Sequence, residues 1–111
     1  MNEVIDVPGE SGARYRFRSA PDPAFAPPGA GNFVYVRPAD DGYEIIHCGL
    51  THSLSRAAAD WATTHRKKGK TALYVRLNVS REVREVEFAD IVACHAGVKV
   101  SLDPDQGSGA R

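Results

Sequence analysis

The chain has 111 residues, of which 42% are hydrophobic and 25% are charged. This length fits one small domain with its own core, and the composition excludes a disordered or collagen-like chain. The 14 basic and 14 acidic side chains leave no formal net charge, which excludes a protein that binds its partner by bulk positive charge. Because no apolar run approaches the roughly 18 residues that a membrane span needs, we expect no membrane association.

The charges are unevenly distributed along the chain. Residues 51–84 contain 8 basic and 2 acidic side chains, whereas residues 1–50 contain 4 basic and 7 acidic ones. A charge run of this kind is most often a solvated surface. It also suits a local site for phosphate or another anion, so both interpretations stay open.

The two cysteines, Cys48 and Cys94, lie far apart in the sequence and form no CxxC pair. Without a secretory signal, this pattern indicates free thiols in a reducing compartment, and we expect a cytoplasmic protein. Each cysteine has a histidine neighbour, in His47–Cys48 and Cys94–His95. Adjacent residues of a strand point to opposite faces, which argues against a zinc site built from the first pair.

The N-terminal third predicts little regular structure. Residues 1–13 are predicted to be a tail, and residues 15–18 alternate aromatic and basic side chains, which is typical of a short edge strand. Residues 21–31 contain four prolines and therefore predict a loop. The apolar segments 33–37 and 43–48 then predict a hairpin that turns at Asp41–Gly42.

The second half predicts a helix, a strand and a second helix. The first helix is expected over residues 53–68, capped by Ser53 or Thr51, with a buried face formed by Leu54, Ala58, Trp61 and His65. The strand is expected over residues 71–78. The second helix is expected over residues 81–95, capped by Ser80.

Together these elements predict an α+β domain over residues 14–100, followed by a flexible tail over residues 101–111. The expected sheet is small and mainly antiparallel. It has three strands, with a possible N-terminal edge strand, and is flanked by helices.

Three short segments resemble the GIY–YIG nuclease superfamily in their order and spacing. They are Gly31-Asn32-Phe33, His47-Cys48-Gly49 and Leu54-Ser55-Arg56, and the resemblance covers roughly residues 15–100. It implies two tyrosines that help to activate water, an arginine that stabilises charge on the phosphorane, and a glutamate that holds a divalent metal ion.

This chain departs from the superfamily at most of those positions. Arg56 is kept, whereas the two tyrosine positions fall on Phe33 and His47, and the metal-binding glutamate falls on Phe88. The resemblance therefore implies a degenerate site that has lost its metal.

Displaced groups are weighed as replacements for the lost ones. Tyr35 shares a strand face with Phe33, Glu85 lies one helical turn before Phe88, and Glu87 is adjacent to Phe88 but rotated by about 100°. The candidate catalytic residues are thus Arg56, His47 and Tyr35, and Glu85 is a weak candidate metal ligand.

Two main functions follow from the resemblance. The first is a non-catalytic domain that binds nucleic acid through residues 51–84, in particular Arg56, Lys67, Lys68 and Lys70, or that binds a protein partner. The alternative is an active endonuclease with a rearranged site, which would need Mg²⁺ or Mn²⁺. A small structural protein with neither role is the third hypothesis.

Overall fold

The structure is a computed structural model that describes residues 3–40, 42–64 and 71–102. Its strands are β1 (Val4–Pro8), β2 (Arg14–Ser19), β3 (Gly31–Ala39), β4 (Gly42–Thr51), β5 (Ala72–Leu77) and β6 (Lys99–Leu102). Its helices are α1 (Leu54–Thr64) and α2 (Arg81–Cys94), and one short 3-10 turn spans Pro23–Phe25.

Within the described ranges the strands form one curled sheet of six, in the order β1–β2–β5–β3–β4–β6. Neighbouring strands are antiparallel except β4 and β6, which are parallel. The α+β class is confirmed, but the prediction of a small three-stranded sheet flanked by helices is wrong. β2, predicted as a possible edge strand, lies between β1 and β5.

The additional strands, β1 and β6, lie near the two ends of the described chain. β1 lies within the predicted N-terminal tail, where Ile5 and Val7 alternate with exposed or half-buried neighbours and are 6% and 0% exposed. This period of two places both side chains on one face of the sheet, where they enter the core. β6 pairs Lys99 with His47 and extends into the predicted C-terminal tail.

The two faces of the sheet hold separate hydrophobic clusters, each covered by one helix. On β3, Phe33 and Tyr35 pack with Leu54 and Trp61 of α1. The alternating side chains of the same strand pack with α2, in a cluster that contains Val34, Val36, Ile91 and, partly buried, Phe88. The helices therefore lie on opposite faces of the sheet.

Both predicted helix starts are confirmed. The Ser53 hydroxyl accepts a hydrogen bond from the Arg56 amide at 3.2 Å, and the Ser80 hydroxyl accepts one from the Val83 amide at 3.4 Å. These bonds satisfy amides that the first turn of a helix leaves without partners. α1 ends at Thr64, and the predicted continuation over residues 65–68, with His65, lies outside the described residues. No helix in the described residues is long and apolar enough to cross a membrane.

A turn between β1 and β2 is attached to α2 through one carboxylate. Asp90 accepts hydrogen bonds from the Ser11 amide and hydroxyl, at 2.8 and 2.7 Å, and from the Tyr15 hydroxyl at 2.7 Å. These bonds, above all the one from the Ser11 side chain, lower the pKa of Asp90. Gly9 leaves room for the contact, since a Cβ there would lie 2.0 Å from an Asp90 carboxylate oxygen.

Candidate functional site

Three rings form a triangular cluster, the ring cluster, on the α1 face of the sheet. The Tyr35 ring centroid lies 5.7 Å from that of Phe33 on its own strand and 4.5 Å from that of His47 on β4, and the Phe33 and His47 centroids are 6.4 Å apart. The ring cluster brings together two predicted site residues, Tyr35 and His47, with the motif position Phe33.

The strand pairing of the β3–β4 hairpin determines where the three rings of the cluster lie. Tyr35 and His47 are direct cross-strand partners, and the register shifts immediately after Tyr35, where Val36 pairs with Ile45. The extra residue, Ile46, forms a β-bulge, which changes the direction of the side chains that follow it. Phe33 pairs with Gly49, and its ring occupies the space above that glycine, where a Cβ would lie 2.2 Å from the ring.

Arg56 lies beside the ring cluster, in the first turn of α1. It lines a cavity of about 380 Å³ together with Phe33, Tyr35, Asp60 and Ser101. The Arg56 side chain is exposed, so the guanidinium is accessible from solvent. Arg56 and Asp60 are four residues apart on the helix, a spacing that places both side chains on the same face.

A second cavity of about 410 Å³ opens on the other side of Tyr35. It is lined by Tyr35 and His47, by the cationic side chains of Arg37 and Lys99, and by Thr71. Arg37 also forms an exposed ion pair with Glu44 at 2.9 Å. Tyr35 lines both cavities, and the two cavities together are called the groove beside Tyr35 below.

The protonation of Tyr35 and the orientation of the His47 ring follow from their surroundings. Burial, with a smaller effect of the Asp60 charge, raises the pKa of Tyr35 to about 12, so the phenol is neutral at physiological pH. A neutral phenol can donate a hydrogen bond to an anion but is a poor base. Nε2 of His47 is hydrogen-bonded to the Ser101 hydroxyl at 2.5 Å, which fixes the orientation of the imidazole.

The structure places the remaining predicted residues elsewhere. Glu85 is exposed on α2, where it pairs with Arg81 at 3.1 Å, and Phe88 packs in the cluster on the α2 face. Both therefore lie across the sheet from Tyr35 and His47, and Glu85 does not join Arg56. The predicted binding residues Lys67, Lys68 and Lys70 lie outside the described residues.

Glu87 is committed to a buried polar network on the α2 face. Its carboxylate accepts hydrogen bonds from Nε of Arg76 and from the Asn78 amide, both at 2.8 Å. Asn78 also donates to Asn32, and Asn32 donates to the Arg84 carbonyl. Since this network joins β3, β5 and α2, the carboxylate closest in sequence to Phe88 has a structural role.

Sequence reasoning missed two residues of the groove. Asp60 could have been found from its spacing of four residues after Arg56 on a predicted helix. Ser101 had no such signal, because it reaches His47 only through the parallel pairing of β6 with β4. In the described part of the chain, no three histidine, cysteine or acidic side chains cluster as metal ligands would.

Comparisons of the chain with protein-family models, with curated proteins and with solved structures return no significant match.

Proposed function

We propose that this chain binds the phosphate backbone of nucleic acid in the groove beside Tyr35 and does not cleave it. The observation that carries the proposal is the division of the predicted site residues between the faces of the sheet. Tyr35, His47 and Arg56 share the groove, whereas Glu85 and Phe88 lie on the opposite face.

The chemistry of the groove suits a phosphodiester. Arg56 supplies a guanidinium, whose planar donors match phosphate oxygens, and Arg37 and Lys99 add positive charge on the other side of Tyr35. Phe33 and Tyr35 are buried, at 4% and 3% exposure, so the half-buried His47 ring is the one that offers stacking surface to a base.

The absence of cleavage follows from what the groove offers a metal ion. Divalent-metal phosphoryl chemistry depends on carboxylate ligands placed close to the scissile phosphate. Asp60 lines the cavity beside Arg56, and Glu44 lines the other cavity, where it is paired with Arg37, so among the described residues each cavity is lined by a single carboxylate. Tyr35 keeps its proton at physiological pH and cannot act as the base.

Binding is tested by fluorescence anisotropy with labelled single-stranded DNA, duplex DNA and RNA of about 20 nucleotides. We expect affinity to fall steeply as the salt concentration rises from 50 to 200 mM, because phosphate contacts release counterions. Arg56→Ala is expected to weaken binding about tenfold, the effect of one charge-assisted hydrogen bond. The matched control Arg81→Ala removes the same charge from the opposite face and should change affinity less than about twofold.

Incubation of the same nucleic acids with the protein and Mg²⁺ or Mn²⁺ tests the second half of the proposal. Cleavage by the wild type that is lost in both Arg56→Ala and His47→Ala would overturn the non-catalytic assignment in favour of an active endonuclease. Equal affinity of the wild type and Arg56→Ala, or no binding at 50 mM salt, would reject the groove as a nucleic-acid site.

A further inference from the structure

A second groove lies at the side of the α1 face remote from His47, where β2 and β5 separate. Among the described residues, β2 pairs with β5 only through Arg18 and Ser19. Two residues before Arg18 on β2, the Arg16 carbonyl accepts a hydrogen bond from the Arg76 guanidinium at 3.3 Å. The opening has a volume of about 480 Å³, which is within the range of small-ligand sites.

Two arginines of β2 line this groove. Arg16 and Arg18 are two residues apart on one strand, so their side chains project from the same face with their Cα atoms about 7 Å apart. Arg16 makes an exposed contact with Asp6 at 3.4 Å, and in the described part of the chain Arg18 makes no ion pair. With Glu3 as the opposing charge on the rim, the groove favours an anion.

Apolar side chains complete the groove from the proline-rich loop and the end of β5. Phe25 and Leu77 are 68% and 57% exposed, although both are large and hydrophobic. Phe25 is held at the end of the 3-10 turn, which begins at an Asp22 cap, so its ring is presented on ordered backbone. An exposed aromatic ring on ordered backbone offers a flat surface for stacking.

We propose that this groove binds a nucleotide, with the base stacked on Phe25 and the phosphate held by Arg16 and Arg18. Aromatic and guanidinium groups on one surface recognise the two parts of a nucleotide at once. A free mononucleotide and the end of a single strand present the same chemistry. The inference does not rest on the function proposed above, because this groove shares no lining residue with the groove beside Tyr35.

The proposal is tested by calorimetric titration of the full chain with a mononucleotide, a single-stranded decanucleotide and inorganic phosphate. Arg18→Ala and Phe25→Ala are each expected to weaken nucleotide binding about tenfold, through loss of a charged contact or of base stacking. Arg81→Ala should leave it within about twofold. Arg18 and Phe25 are exposed, and thermal melts of the variants will verify that the fold is retained.

Comparison of the three ligands distinguishes a free nucleotide from the end of a strand. Comparable affinities for mononucleotide and decanucleotide identify a free nucleotide, and much tighter decanucleotide binding with the same sensitivity to Arg18→Ala and Phe25→Ala identifies a strand. No binding of either ligand overturns the proposal. Phosphate that binds as well as the nucleotide, with no effect of Phe25→Ala, overturns base recognition. Loss of binding in Arg56→Ala but not in Arg18→Ala assigns the ligand to the groove beside Tyr35.

Discussion

The two faces of the sheet use the same kinds of residue for different purposes. On the α2 face, charged and amide side chains are consumed by internal contacts, as in the network around Glu87 and the bonds to Asp90. On the α1 face, the Phe33 and Tyr35 rings are buried, whereas the exposed Arg56 and the half-buried His47 line two cavities. A role can therefore be assigned to a motif residue only when the face of the sheet that it occupies is known.

The largest effect is expected from a substitution that creates a cavity on the α2 face, which tests whether the two faces are independent. Ile91→Ala removes a side chain that is 0% exposed, and we expect the free energy of unfolding to fall by about 2–5 kcal/mol. Urea unfolding measures this loss. The affinity for nucleic acid of the remaining folded protein should be unchanged, and a parallel loss of affinity would show that the faces are not independent.

On the α1 face, Gly49→Ala should destabilise the protein by about 1–3 kcal/mol because the new methyl group meets the Phe33 ring. A smaller residue at position 33 relieves that clash, so the double variant with Phe33→Leu should lose less than the sum of the two single losses. A double-mutant cycle in urea measures the coupling. Additive losses would contradict the packing of Phe33 over Gly49.

The buried network of the α2 face predicts a contrast between two polar substitutions on that side. Asn78→Ala removes the donor to Oδ1 of Asn32 and one of the two donors to Oε1 of Glu87, which keeps its bond from Arg76, and should cost about 1–3 kcal/mol. Glu85→Gln breaks an exposed ion pair with Arg81 and should cost at most about 0.5 kcal/mol. If the two variants lost the same free energy of unfolding, the buried network would contribute no more to stability than the exposed ion pair.

The smallest effect is expected at Asp90, which holds the turn between β1 and β2. The pKa of Asp90 is lowered in the folded state, so the contribution of this carboxylate to stability is complete above its unfolded pKa of about 3.9. That contribution is lost as the pH falls through the lower folded pKa. In urea unfolding between pH 5 and pH 2, Asp90→Asn should show a weaker loss of stability towards acid than the wild type. Parallel curves would contradict this account.

Local signals predicted much of the fold. The hydroxyl caps Ser53 and Ser80 identified both helix starts, and the apolar segments 33–37 and 43–48 identified the hairpin, because each signal depends on residues close in sequence. Asp41 of the predicted Asp41–Gly42 turn lies outside the described residues. β1 and β6 are short strands at the two edges of the sheet, and the apolar residues of β1 were a local signal that sequence reasoning missed. Which strand lies beside β2 is a tertiary property that its alternation does not encode.

The site was predictable to a similar extent. Tyr35, His47 and Arg56 come together because a hairpin and the helix after it bring residues of nearby sequence onto one face. The position of α2 could not be inferred in the same way. Its apolar residues are spread around the helix, and Val83 and Val86 are 44% and 67% exposed. The pattern therefore did not say which face of the sheet Glu85 and Phe88 would join.

The position of Tyr35 between two cavities has a thermodynamic consequence. A ligand that displaced the phenol in one cavity would also change the wall of the other, and the two binding free energies would then be coupled. Such coupling is reciprocal: the factor by which the first ligand changed the affinity for the second would equal the factor by which the second changed the affinity for the first. Simultaneous titration of both cavities would measure that factor directly.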